Sequence, residues 1–212
     1  MKLTLENIQL IKNDLSDELL DIYSSKDLLS VDCEMMGLSP NRDRLCLIQM
    51  CDEEGRVTLV KIENYKIKSS APNLKKLFEN TNVRKIFHFG RTDLTFLHHW
   101  LDIDLKNVFC TKLASKLVRT FTDKHSLKDL TKEFLSVELD KKNQTTDWGA
   151  SELTKDQIRY AAYDVVYLIP MYHKLIDLLK RENRLEIAEE ACRFLPTLAK
   201  LDIWGYEDFF AH

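Results

Sequence analysis

Four carboxylates in this chain stand where an apolar environment has little use for them. Asp32 and Glu34 lie two residues apart at the end of the apolar run LLSVDCEM (28-35), so on an extended strand both side chains leave the same face. Two like charges at a buried strand end need a cation to neutralise them. Asp93 opens a helically spaced segment directly after the strand-like VRKIFHF (83-89), at a strand's C-terminal edge, where ligands gather in open α/β sheets. Asp164 lies inside YAAYDVVYLI, where a carboxylate is costly unless paired or metal-bound. Each has a plainer explanation on its own. Asp93 could cap a helix, Asp164 could pair with Arg159 or His173, and the first two could sit at a solvated strand end. Taken together, one hard-cation site accounts for all four, and a set of oxygen donors favours Mg²⁺ or Mn²⁺.

Tyr160 precedes Asp164 by one helical turn, so both project from one face. A phenol with an ordinary pKa of about 10 is a poor general base at neutral pH and is better suited to orienting an attacking water. Tyr163 points elsewhere and reads as a core or groove aromatic.

The elements that must hold these groups can be read from the pattern. Strands are expected at 28-35, 44-52 and 56-62, the last two joined by the turn Asp52-Glu53-Glu54-Gly55 as an antiparallel hairpin. A short helix follows at APNLKKLFEN, then a strand at 83-89, a helix at 91-101 with Leu94, Leu97 and Leu101 on one face, and a brief strand at 107-110. The rest reads as helix: TKLASKLVRT, HSLKDLTKEFL, one long element over 154-183, and a last one over EIAEEACRFLPTLAKL. Early strands, then alternation, then helices predict one α/β domain over 1-212 around a mixed β-sheet, with no repeat or linker.

Composition sets the limits. Of 212 residues, 44% are hydrophobic and 31% charged, enough apolar content for a real core. Five Gly and four Pro point to long regular elements rather than linker-rich architecture. No apolar run is long enough to span a membrane, and the charged MKLTLENIQLIKNDLSDELL is unlike a signal peptide, so a cytoplasmic protein is expected. Cys33, Cys46, Cys51, Cys110 and Cys192 form no C-x-x-C pair and read as buried free thiols. Zincin, P-loop, Rossmann and α/β-hydrolase signatures are absent. The net charge of -3 conceals a division: residues 1-60 carry 6 basic and 12 acidic residues, whereas 106-142 carry 9 basic and 5 acidic ones. A basic segment beside an acidic one becomes interesting if the acids hold metal; otherwise it is a solvated helical face.

The motifs V-D-C-E (31-34), H-F-G-R-T-D (88-93) and Y-A-A-Y-D (160-164) resemble the three exonuclease motifs of the DEDD superfamily, and Y-x-x-x-D marks its tyrosine branch, which contains ribonuclease D. The histidine branch would carry His at 159, where this chain has Arg. The likeness continues through H-S-L-K-D-L (125-130) and T-D-W (146-148). RDRLCLIQM, KIFHFGRTDL, VFCTKLASKLVRTFTDKHSLK and RFLPTLAKLDI resemble the compact nanoRNase C family, without room for the extra helical RNA-binding domains of full-length ribonuclease D.

The resemblance implies a ribonuclease H-like fold, its mixed sheet flanked by helices, and a 3′-5′ exonuclease using two divalent cations, Mg²⁺ or Mn²⁺. Asp32, Glu34, Asp93 and Asp164 would be the ligands and Tyr160 the water-orienting group. It also implies very short single-stranded RNA, especially dinucleotides, as substrate, and a ring-like homo-oligomer, an octamer. Leu38 would wedge against a base unless it simply packs in the core, and His88 would line the groove unless it is a satisfied strand histidine. Lys112, Arg119 and Lys124 are the candidates for holding a 5′-phosphate, in cis or from a neighbouring subunit. Met35-Met36 departs from the smaller or polar residues of relatives and could alter the pocket wall. Trp204, Tyr206, Phe209 and Phe210 either fold back onto the domain or bury at a subunit interface. The alternatives are a broader ribonuclease D-like enzyme trimming longer RNA or DNA, and a non-catalytic nucleic-acid-binding module.

Overall fold

The computed structural model describes residues 8-64, 67-68, 70-139, 146-206 and 209. Six strands, β1 (Ile8–Lys12), β2 (Leu28–Met35), β3 (Leu45–Asp52), β4 (Val57–Lys61), β5 (Arg84–Phe87) and β6 (Val108–Cys110), form one sheet in the order β1-β4-β3-β2-β5-β6. The β2-β3 and β3-β4 pairs are antiparallel, while β1 runs parallel to β4 and β2, β5 and β6 run parallel to one another. The β3-β4 hairpin turns at Gly55, whose φ of 82° suits glycine, and the Asp52 carboxylate accepts hydrogen bonds from the Glu54 and Arg56 amides.

Eight helices are described: α1 (Asp17–Ser24), α2 (Pro72–Glu79), α3 (Arg91–Leu101), α4 (Thr111–Val118), α5 (Leu127–Leu135), α6 (Lys155–Val166), α7 (Leu168–Arg181) and α8 (Leu185–Ile203). Strand alternation sorts β2 into two faces. Leu29, Val31 and Cys33 join the main core with Phe87, Leu94 and Phe96. The opposite face carries Ser30, Asp32 and Glu34, and there α6 packs with Ala161, Ala162 and Val165 against Leu47, Val57 and Leu59. This is the expected α/β, ribonuclease H-like architecture of a mixed sheet with helices on both faces.

Two features differ from the sequence reading. β1 and α1 precede the first expected strand; β1 is a five-residue, largely exposed edge strand and so lacks a strong apolar alternation. The single helix expected over 154-183 is two, α6 and α7, meeting at Tyr167. Pro170 explains the break: it has no N–H for the Val166 carbonyl, and it is tolerated only in the first turn of a new helix. All five cysteines are buried and free, as expected. Among the described residues, no helix is long and apolar enough to cross a membrane.

Candidate active site

The parallel strands β2 and β5 bring their C-terminal ends side by side, which sets Asp32 and Glu34 beside the turn into α3. The β2-β3 register shifts between Glu34 and Met35, a bulge that bends the strand just where its carboxylates emerge. The loop beyond it is pinned by Asp43, which accepts from the Ser39 amide at 3.0 Å and whose carbonyl accepts from Trp100 Nε1 at 3.1 Å. A Cβ on Gly37 would lie 2.2 Å from Asp43 Oδ2, so glycine is needed there.

Helix α6 delivers Tyr160 and Asp164. Its start is fixed by a capping box between Thr154 and Gln157. The Gln157 amide also donates to Thr146 Oγ1 and to the Asp147 carbonyl, both at 3.1 Å. Trp148, 3% exposed, packs its ring 6.0 Å from that of Tyr160. The T-D-W segment therefore sets the helix that carries the tyrosine. Asp93 sits in the first turn of α3, and Arg91 ties that turn to α8 through a pair with Asp202, 2.7 Å from Nε.

Asp32, Glu34, Asp93, Tyr160 and Asp164 line one cleft of about 380 Å³. Carboxylate oxygens of Asp32, Glu34 and Asp164 all lie within 4.8 Å of one another. Burial, then repulsion from Asp93, Asp164 and Glu34, holds the Asp32 carboxyl well above the carboxylate range. Burial and repulsion from Asp164 and Asp93 push Glu34 up to about 9. Burial raises Asp93 to about 7, partly offset by hydrogen bonds from its own and the Cys33 amide and from the Cys33 thiol. Burial and the neighbouring Asp164 and Glu34 charges push the Tyr160 phenol up, so it stays protonated and donates to Asp164. Crowded oxygen donors held apart only by protons are what a hard divalent cation requires, so the residues present fit such an ion.

The remaining sequence candidates divide. Leu38 lines the cleft and is 84% exposed, which excludes core packing. His88 and Lys112 also line it; His88 Nδ1 lies 2.9 Å from Thr111 Oγ1, and burial plus the Lys112 charge lower His88 to about 4. Lys124 is exposed and not part of the lining. Arg119 corrects the sequence reading: it is 3% exposed and bonded to Glu133, to Ser115 Oγ at 3.2 Å and to the Lys124 carbonyl. Its guanidinium joins α4 to α5 and is taken up by the protein's own groups. Phe89, Thr92, Ser126 and Lys128 line the cleft without having been singled out. Lys128 belonged to the basic segment, but a segment's charge does not say which member faces the site. Trp204, Tyr206 and Phe209 are 69%, 56% and 56% exposed, so these three do not fold back into the core, and Phe210 lies outside the described residues.

The family model for a 3′-5′ exonuclease matches residues 9-180, and the chain belongs to that family, which is metal-dependent. The comparisons support a 3′-5′ exonuclease domain of the ribonuclease D type. NrnC of Brucella melitensis is 43% identical and superposes with a TM-score of 0.90, covering 97% of this chain and 98% of that one. That protein has also been solved with bound Mg²⁺ and bound to pGG. Ribonuclease D of Sphingobium indicum is 31% identical over 157 residues, 74% of this chain and 39% of the relative. Ribonuclease D of Serratia proteamaculans is 32% identical over 191 residues, 89% of this chain and 50% of the relative. The chain thus spans half or less of the length of these ribonuclease D relatives.

Proposed function

We propose that this protein removes nucleotides from the 3′ end of very short RNA, above all dinucleotides, and releases nucleoside 5′-monophosphates. The observation that carries the reading is the convergence of Asp32, Glu34, Asp93, Asp164 and Tyr160 on one cleft of about 380 Å³. A cleft of that size suits a small, locally gripped ligand, and the net charge of -3 suits it better than a long strand held by bulk electrostatics. The likeness to an NrnC solved with pGG supports the same substrate class.

Asp32, Glu34, Asp93 and Asp164 would together hold two divalent cations, Mg²⁺ or Mn²⁺. When bound, such ions supply charge stabilisation at the scissile phosphate and at the leaving 3′-oxygen. Tyr160, protonated and fixed by Asp164, orients the attacking water by hydrogen bonding rather than taking its proton. Leu38 places an exposed apolar side chain against a base, His88 shapes the groove, and Lys112 meets phosphate.

We propose a homo-oligomer as well, the octamer that the resemblance implies; the exposed Trp204, Tyr206 and Phe209 would be buried between its subunits. Deleting residues 204-212 then yields a smaller particle by light scattering; an unchanged mass contradicts that part of the reading. The enzymatic part is tested by turnover of a 5′-phosphorylated RNA dinucleotide with and without EDTA. Undiminished hydrolysis in excess chelator would overturn the metal assignment.

A further inference from the structure

Phe89 follows β5 by two residues. In an extended chain its side chain would fall on the same face as Phe87, which is completely buried. It does not, because Phe89 has a φ of 67°, a left-handed conformation that bulky residues adopt only under constraint from their surroundings. The next position admits only glycine, since a Cβ on Gly90 would lie 2.7 Å from Phe87 Cβ. The result is an aromatic side chain turned out of the core, half exposed, on the wall of the carboxylate cleft.

Among the described residues, three aromatic rings line this cleft, and two of them carry polar groups already engaged in hydrogen bonds. Tyr160 is bonded to Asp164, and His88 to Thr111. The Phe89 ring is held by Lys112, whose Nζ sits 3.8 Å from its centroid, a cation–π contact, and the residue, part of the cleft lining, stays half exposed. A ring pre-set in this way stacks on a nucleobase without losing further freedom on binding.

We propose that Phe89 is a base-stacking platform: one nucleobase of the substrate lies on its exposed ring, and Lys112 both holds that ring and stands ready for the adjoining phosphate. The assignment rests on the exonuclease reading and deepens it, naming the ring that makes a base, and not only a phosphodiester, part of what is recognised.

The test compares wild type, Phe89→Gly and Phe89→Trp on a 5′-phosphorylated RNA dinucleotide and on dinucleotides carrying an abasic ribose at either position. Glycine accepts the positive φ, so Phe89→Gly removes the ring without straining the turn, and its melting temperature should equal or exceed that of wild type. The expected result is a KM raised about 10-fold or more on the intact dinucleotide with kcat changed less than about threefold. One abasic substrate should show no such increase, and Phe89→Trp should restore the wild-type KM. An unchanged KM in Phe89→Gly, or the same rise on both abasic substrates, overturns the platform. A fall in kcat and melting temperature together, unrelieved by Trp, also overturns it, because the ring is then structural. If the wild type cleaves no ribo-oligonucleotide at all, the exonuclease reading fails instead.

Discussion

Tyr160 donates its hydroxyl hydrogen to the carboxylate of Asp164, one turn further along α6. Burial and the neighbouring carboxylates push that phenol's pKa up, which favours aiming a water over deprotonating it. Tyr160→Phe retains the ring packed against Trp148 and loses only the hydroxyl. It should lower kcat by roughly 10²-fold, the cost of a misplaced nucleophile, with KM and melting temperature close to wild type. Activity within threefold of wild type would remove Tyr160 from the mechanism.

Asp32 is held among three other carboxylates that repel its charge. Asp32→Asn replaces a carboxyl that burial and its neighbours force to hold a proton with a neutral group of nearly the same shape. In EDTA the variant should therefore melt a few degrees above wild type, while turnover in Mg²⁺ falls at least about 10³-fold. A lower melting temperature in chelator would mean that Asp32 is a structural residue with a partner of its own.

The raised carboxyl groups fix the sign of the pH dependence. Glu34 moves from 4.5 to about 9 on folding, and Asp93 from 3.8 to about 7. Over these intervals the folded state binds more protons than the unfolded state, so their contribution to stability is complete at low pH and is lost as pH rises. Chelated protein should lose thermal stability steadily between about pH 5 and pH 9, and saturating Mg²⁺ or Mn²⁺ should flatten most of that slope. A chelated protein equally stable across this range would contradict the carboxylate cluster.

Arg119 and Lys128 exchange the roles that charge counting alone would give them. Lys128 lines the cleft, whereas Arg119 is buried between α4 and α5 on Glu133 and the Lys124 carbonyl. Lys128→Ala should raise KM for a 5′-phosphorylated dinucleotide about tenfold, the order expected for one charge-assisted hydrogen bond, and much less for the unphosphorylated one. Arg119→Ala should lower the melting temperature by several degrees instead. The reverse pattern would return Arg119 to the substrate.

The site was legible because its chemistry is locally encoded. Asp32 with Glu34, Asp93 at a strand's edge, and Tyr160 with Asp164 each show in a few residues that a charge or hydroxyl sits where packing alone would not put it. The hairpin at Gly55 and the mixed sheet were legible for the same reason. What stayed hidden depended on long-range placement. β1 gains its identity only from β4, its partner some fifty residues away. Arg119 and Lys128 look alike in the sequence, and only the packing of α4 on α5 separates a buried brace from a cleft cation. Phe89 carries no pattern that betrays a positive φ, which only the folded backbone shows. The break at Tyr167 could have been read from Pro170, but the apolar spacing ran on through it.

The central claim is a metal-dependent 3′-5′ exonuclease whose small cleft selects very short RNA. It is tested most directly by the turnover of a 5′-phosphorylated RNA dinucleotide, a seven-residue RNA and the matching DNA, each in Mg²⁺ and in Mn²⁺. The dinucleotide should be converted to nucleoside 5′-monophosphates at least about tenfold faster than the seven-mer and faster still than DNA, with all activity lost in EDTA. Comparable rates at all lengths would contradict the short-RNA selectivity, and hydrolysis that persists in EDTA would contradict the carboxylate site itself.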